Sequence, residues 1–190
     1  MKYKLFEDCI FINYFQDSQF TKKTLKILKD QKKLNYKFEK SNVIGFQTKN
    51  IDNEYLSNKI LNWSLKTLGD NFLFKKNFKV RLINLWINEN SKHSYNQVHN
   101  HPNSHFSGVF YIDVPSDSGD IFFLRPDFSS TMYDMSNFLH ASPMTIEQKK
   151  IKNCTNQFLL FPSTLMHGVH VNKTDNSRIS LSFNLFLAEN

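Results

Sequence analysis

Apolar residues in this chain change their spacing near Phe78, from a helical repeat to a two-residue alternation. Upstream, Asp17-Ser18 can cap a helix running to about Leu34, with Leu25 and Leu28 on one side. A second helix is predicted from about Asn53 to Leu68, where Leu56, Ile60, Leu61, Leu65 and Leu68 form one stripe, and Gly69 stands at its C-terminal cap. Downstream, Val80, Leu82, Asn84, Trp86 and Asn88 are expected on one face of a strand, with Ile83, Leu85 and Ile87 on the other. Further strands fit Phe106 to Val114, Ile121 to Leu124, Gln157 to Phe161, His167 to Val171 and Arg178 to Leu187. Pro115-Ser116-Asp117-Ser118-Gly119 reads as a turn.

Several short strands separated by turns point to a β-sandwich or barrel, with the early helices packed outside it. The last strand alternates most clearly. Ile179, Leu181, Phe183, Leu185 and Leu187 share one face, and Arg178, Ser180, Ser182 and Asn184 share the other. Such a strand can belong to a plain sandwich with a solvated outer face, or its polar face can line a ligand cavity.

A length of 190 residues suits a single domain, divided into mainly helical cover over 1–77 and a β core over 78–190 that carries the site. The start of the chain carries acids early and no long apolar stretch, so it does not read as a signal peptide, and no segment approaches a membrane span. Cys9 and Cys154 lie far apart without metal-type spacing. They suit the cytoplasm, as ordinary small core residues with free thiols. A net charge of +7 allows a nucleic-acid partner. The lysines, however, recur at helical spacing over Lys22-Lys23, Lys26, Lys29 and Lys32-Lys33, the pattern of a solvated helix face.

The chemistry concentrates later. His99 and His101 stand one residue apart on an extended segment and point the same way; His167, on a later strand, can close a third corner around a divalent metal. Arg178 adds a fixed cation beside them. Such a site can hold a metal and a dicarboxylate together, the working arrangement of a non-haem iron oxygenase. His93, His105, His140 and His170 read as ordinary core or surface residues. His170 in particular is an odd number of positions from His167, hence on the opposite face.

In order along the chain stand Leu5-Phe6, Ser41-Asn42, Gly45-Phe46-Gln47, Trp86-Ile87-Asn88, His99-Asn100-His101-Pro102, Ser107-Gly108-Val109-Phe110-Tyr111, Phe161-Pro162-Ser163, His167 and Arg178-Ile179-Ser180-Leu181-Ser182-Phe183-Asn184. This series resembles the small microbial and phage proteins classed as 2-oxoglutarate/Fe(II) oxygenases, related to prolyl hydroxylases. The resemblance implies a mainly β fold with flanking helices and a double-stranded β-helix (jelly-roll, cupin-like) core. It also implies Fe(II) and 2-oxoglutarate as cofactor and cosubstrate, O2 as co-reactant, and a small-molecule or peptide substrate. His99 and His167 match the two histidines of the iron triad. Arg178 matches the partner of the distal 2-oxoglutarate carboxylate, and Ser180 completes Arg-x-Ser. Tyr111 matches a pocket phenol and Asn88 a further pocket residue.

The chain departs from the superfamily pattern at one position, where His101 replaces the aspartate of His-x-Asp. Either His101 is a third neutral ligand, or a carboxylate arrives from Asp113, Asp120 or Asp127. The change removes a negative charge and is expected to weaken Fe(II) binding. Two further readings stay open: a cupin-like three-histidine metalloprotein without 2-oxoglutarate, and a non-enzymatic jelly-roll module.

Overall fold

The computed structural model describes residues 8–34, 41–73, 78–125 and 148–189. Among the described residues, eleven strands form two antiparallel sheets. The six-stranded sheet contains β1 (Phe11–Tyr14), β9 (Gln157–Pro162), β6 (Phe106–Asp113), β11 (Arg178–Glu189), β4 (Phe78–Asn90) and β3 (Phe46–Gln47), in that order. The five-stranded sheet contains β2 (Asn42–Val43), β5 (Tyr95–His99), β10 (His167–Val169), β7 (Ile121–Leu124) and β8 (Gln148–Ile151). The architecture is the expected jelly roll. Strands β1, β2 and β3 build the first third of the chain into both sheets, so that segment is more than helical cover.

Two apolar clusters separate three layers. Helices α1 (Ser18–Lys33) and α2 (Glu54–Gly69) place Phe20, Leu28, Leu56, Ile60 and Leu68 against Leu85, Ile87, Phe110, Phe158, Leu181 and Phe183 of the larger sheet. Trp63 stacks on Phe15 at 4.8 Å between ring centroids and anchors this layer. Between the sheets, Val109, Tyr111, Leu159 and Phe161 meet Ile121 and Phe123. The two faces of β11 are therefore divided as its alternation predicts. Leu181, Phe183 and Leu185 go under the helices, and Arg178, Ser180 and Ser182 face the gap between the sheets.

Three expectations need correction. Leu25 of α1 and Leu65 of α2 lie outside their stripes and are exposed, because each helix buries an i, i+4, i+8 row instead: Phe20, Thr24 and Leu28, and Leu56, Ile60 and Ser64. The faces of β4 also differ. Asn184 pairs with Asn84 but Leu185 pairs with Leu82, so Ile83 is an extra, exposed residue. This bulge resets the parity and turns Val80 and Leu82 toward the helix-side core with Leu85 and Ile87. Finally, Cys9 and Cys154 are exposed rather than core residues, Cys9 ahead of β1 and Cys154 in the connection from β8 to β9.

Asp17 holds the helical layer at one point. Its carboxylate accepts from the Phe20 N–H as the N-cap of α1, receives the Tyr55 hydroxyl at 3.0 Å, and pairs with Lys59 at 2.8 Å. The Lys59 hydrogen bond, more than any other contact, holds the Asp17 pKa below its ordinary value. A depressed carboxylate stabilises the fold above its unfolded pKa and loses that contribution as pH falls through the folded one. Asp17→Ala is expected to cost about 1–2 kcal/mol at neutral pH. Urea titrations should show the gap between variant and wild type closing as the pH falls from the ordinary carboxylate pKa to below it.

Candidate metal and cosubstrate site

His99 ends β5 and His167 begins β10, and the two are direct partners in the antiparallel ladder. Their side chains leave the same face of the five-stranded sheet. Two residues on from His99, the backbone N–H of His101 donates to the Ser163 carbonyl at 3.0 Å, which holds the chain extended just beyond the strand. The His99, His101 and His167 rings gather with centroids 4.4 to 5.2 Å apart. One ring nitrogen from each lies within 4.8 Å of the others.

The tautomers suit ligation. His99 Nδ1 lies 2.7 Å from the Gln97 carbonyl and His167 Nδ1 lies 2.8 Å from the Leu165 carbonyl, each two residues back. A carbonyl can only accept, so both Nδ1 atoms carry the proton and both Nε2 lone pairs are free. Burial lowers the pKa of His99, and burial with the charge of His99 lowers that of His167 to about 4. Neutral imidazoles are the form a metal needs.

The three histidines share a slot of about 50 Å³ with Asn88, Tyr111, Arg178 and Ser180. Arg178 is 1% exposed. Its Nη1 donates to the carbonyls of Ser118 and Gly119, while Nε has no hydrogen-bond partner among the described residues. Nor does any carboxylate there form an ion pair with it. Burial draws its pKa below the ordinary arginine value. The Tyr111 phenol is pushed up by burial, hence protonated and able to donate. Asn88 donates to Ser182 Oγ at 3.1 Å and keeps a buried oxygen without a partner among the described residues. Three convergent imidazoles and a buried guanidinium in no ion pair among the described residues fit a divalent metal and a dianion.

Outside the slot lies a groove of about 570 Å³ that shares Ser41, Trp86, His99 and His101 with it. Carboxamides dominate its lining: Gln47, Asn50, Asn84, Gln97, Asn100 and Asn184. No sequence signal singled out this groove, although Asn84 and Trp86 alternate with Asn88 on one face of β4 and were readable as a polar row. Of the remaining histidines, His93 is exposed, His105 packs on Phe186, and His170 lies against the Asp120 carbonyl and Phe122. His140 lies outside the described residues, as do Leu5-Phe6 and Asp127. Asp113 is exposed, and the Asp120 carboxylate accepts from the Asn153 N–H at 3.0 Å.

Residues 84–184 match the family model described as "Putative 2OG-Fe(II) oxygenase", just over half of the chain. The chain belongs to this family. No curated protein matches it. Among solved structures, a prolyl-4-hydroxylase from Pseudomonas putida aligns over 92% of this chain and 91% of its own, with a TM-score of 0.61 at 12% identity. HygX from Streptomyces hygroscopicus, with nickel, 2-oxoglutarate and hygromycin B bound, aligns over 93% and 82%, with a TM-score of 0.65 at 12% identity. A prolyl hydroxylase from Trichoplax adhaerens, in complex with a hypoxia inducible factor peptide fragment, aligns over 94% and 83%, with a TM-score of 0.59 at 13% identity.

As a 2OG-Fe(II) oxygenase, the protein is an enzyme that depends on Fe(II) and 2-oxoglutarate. Membership sets aside the non-enzymatic module and the metalloprotein without 2-oxoglutarate. It offers no support for a nucleic-acid partner. Lys22, Lys26 and Lys29 lie exposed along α1, whereas the described lining of the oxygenase groove contains one cation, Lys49. Among the described residues, no helix is long and apolar enough to cross a membrane.

Beside the slot, β6 has one position with no space for a side chain on the helix-facing side of the sheet. A Cβ on Gly108 would fall 2.2 Å from Phe183 Cζ and 2.5 Å from the Leu159 carbonyl. Gly108→Ala should therefore push β6 away from β9 and β11, costing about 1–3 kcal/mol in urea unfolding.

Proposed function

We propose that this enzyme hydroxylates a C–H bond of a small-molecule or peptide substrate, with 2-oxoglutarate and O2 as co-reactants and succinate and CO2 as by-products. The observation that carries the reading is the confluence of His99, His101, His167 and Arg178 in one slot. His99 and His167 hold Fe(II) through Nε2, with His101 as the third ligand in place of the usual carboxylate. Arg178 pairs with the distal carboxylate of 2-oxoglutarate, its planar fork suiting a two-point, charge-assisted contact. Tyr111 and Ser180 donate hydrogen bonds within the slot, and Asn88 presents its amide there. Bound iron supplies the coupling of 2-oxoglutarate decarboxylation to substrate oxidation.

The residues of this chain contribute position and exclusion. Val109, Ile121 and Phe161 line the slot beside the polar groups and keep water from its inner end. The groove lined by carboxamides and Trp86 receives the substrate above the histidines. The molecules bound in solved relatives, a hypoxia inducible factor peptide fragment and hygromycin B, are consistent with a peptide or a small molecule there.

The deciding experiment is anaerobic addition of Fe(II) and 2-oxoglutarate, read by the visible metal-to-ligand charge-transfer band. Admission of oxygen with excess Fe(II) and a reductant should then convert 2-oxoglutarate slowly to succinate even without substrate. Bound iron and bound 2-oxoglutarate with no succinate, with or without candidate substrates, would sink the hydroxylase reading. His167→Ala should abolish both the band and the rise in melting temperature produced by Fe(II), because it removes an inner-sphere bond. Arg178→Lys should remain folded and keep Fe(II), yet bind 2-oxoglutarate at least about tenfold more weakly, since the charge persists and the fork is lost. Equal affinity in that variant would remove Arg178 from the binding role.

A further inference from the structure

The segment joining β6 to β7 is clamped from three sides. Ser118 N–H closes a turn onto the Pro115 carbonyl at 3.2 Å. His170, three residues after His167, directs its backbone N–H and its Nδ1 at the Asp120 carbonyl, at 3.0 and 3.1 Å. Asn153, 5% exposed and two residues beyond β8, donates from Nδ2 to the Gly119 carbonyl at 3.1 Å. Its Oδ1 accepts from Ile121 N–H at 3.4 Å, and its own N–H donates to the Asp120 carboxylate. The same Gly119 carbonyl, with that of Ser118, receives Arg178 Nη1.

Only glycine fits at the centre of this clamp. Gly119 has φ +89°, and a Cβ there would lie 2.1 Å from the His170 carbonyl oxygen and 3.1 Å from Arg178 Nη1. The turn thus links two otherwise separate parts of the site: the strand that presents His167 and the guanidinium at the start of β11. An arginine side chain is long and rotamer-rich, so two fixed carbonyls on one nitrogen decide where its other donors stand.

We propose that the Ser118–Asp120 turn, pinned by Asn153, sets the reach between the metal-binding strand and Arg178, and so makes Asn153 a positioning residue that selects the length of the 2-oxo diacid. The inference rests on Arg178 taking the distal carboxylate. Asn153 touches no cosubstrate in this account. It acts through the Gly119 carbonyl.

The test titrates the full-length Fe(II) protein, without oxygen, with 2-oxoglutarate, with oxaloacetate (one carbon shorter) and with 2-oxoadipate (one carbon longer). Affinities are read from the charge-transfer band, and melting temperatures are measured in parallel. Wild type should prefer 2-oxoglutarate to both homologues. In Asn153→Ala that preference should narrow by about three- to tenfold, the loss expected for one positioning hydrogen bond. Asn153→Asp keeps the acceptor for Ile121 N–H and loses the donor to Gly119, while its carboxylate competes for the guanidinium. It should bind 2-oxoglutarate more weakly still, and it serves in place of Asn153→Ala if that variant does not fold. Cys154→Ser, exposed and adjacent, should behave as wild type. A lower melting temperature with an unchanged ratio among the three diacids would make Asn153 merely structural and overturn the inference, as would a wild type that does not discriminate. If wild type takes up none of the three, the assignment of Arg178 fails, and the inference falls with it.

Discussion

A guanidinium withdrawn almost wholly from water, in no ion pair with a carboxylate among the described residues, is the constraint around which this structure is arranged. Burying an unpaired charge costs several kcal/mol even after the surroundings relax. Two backbone carbonyls meet only part of that demand. The fold tolerates the remainder because Arg178 opens the central strand β11, flanked by β4 and β6 over most of its length, where backbone pairing leaves it no route to solvent. In the role proposed for Arg178, a site in this condition is prepared for an anion before one arrives, and much of the anion's binding free energy would come from relieving the buried charge.

The same strand carries the second constraint, which is register. One face of β11 is packed under two helices and the other faces the slot. A slip by one residue would exchange Arg178, Ser180 and Ser182 for Ile179, Leu181 and Phe183 and destroy core and site together. Two irregularities keep the neighbours in step. The extra residue Ile83 shifts β4 between its distal, helix-facing part and the part that presents Asn84, Trp86 and Asn88. The irregularity between Ile179 and Ser180 lies where β6 ends at Asp113. Strand pairing is thus corrected near the cavity, where side-chain direction matters most.

What could be read from the chain follows from the range of the physics involved. The alternation of β11, the cap at Asp17 and the parity of His99 with His101 are local, and local rules anticipate them. The side chains of Leu25 and Leu65 depend on which helical row meets the sheet, which composition alone does not determine. The Ile83 bulge broke an alternation that looked regular, since either neighbour of an apolar pair can be the extra residue. Strands β2 and β3 have two residues each, too few for any period to register. Asn153 had no reading at all: its role exists only once β8, β7 and the turn at Gly119 are brought together. The gathering of the three histidines was legible because a metal-type pattern restricts residue type and strand geometry restricts spacing. The carboxamide groove was not, because asparagine and glutamine carry no such restriction.

The replacement of a carboxylate by His101 alters the electrostatics of the proposed ligand set in a definite way. Three neutral imidazoles leave the full double charge of a divalent ion within the slot, and Arg178 adds a third positive charge in the same low-dielectric space. Metal and guanidinium therefore oppose each other until a dianion lies between them. With a carboxylate ligand, part of that opposition would be cancelled within the protein itself. Here it falls to 2-oxoglutarate, so metal and cosubstrate should each be held more tightly in the other's presence, by the same factor in both directions. The charge omitted at position 101 and the ion pair that Arg178 lacks among the described residues are then two sides of one arrangement. The site is electrostatically complete only when metal and diacid occupy it together.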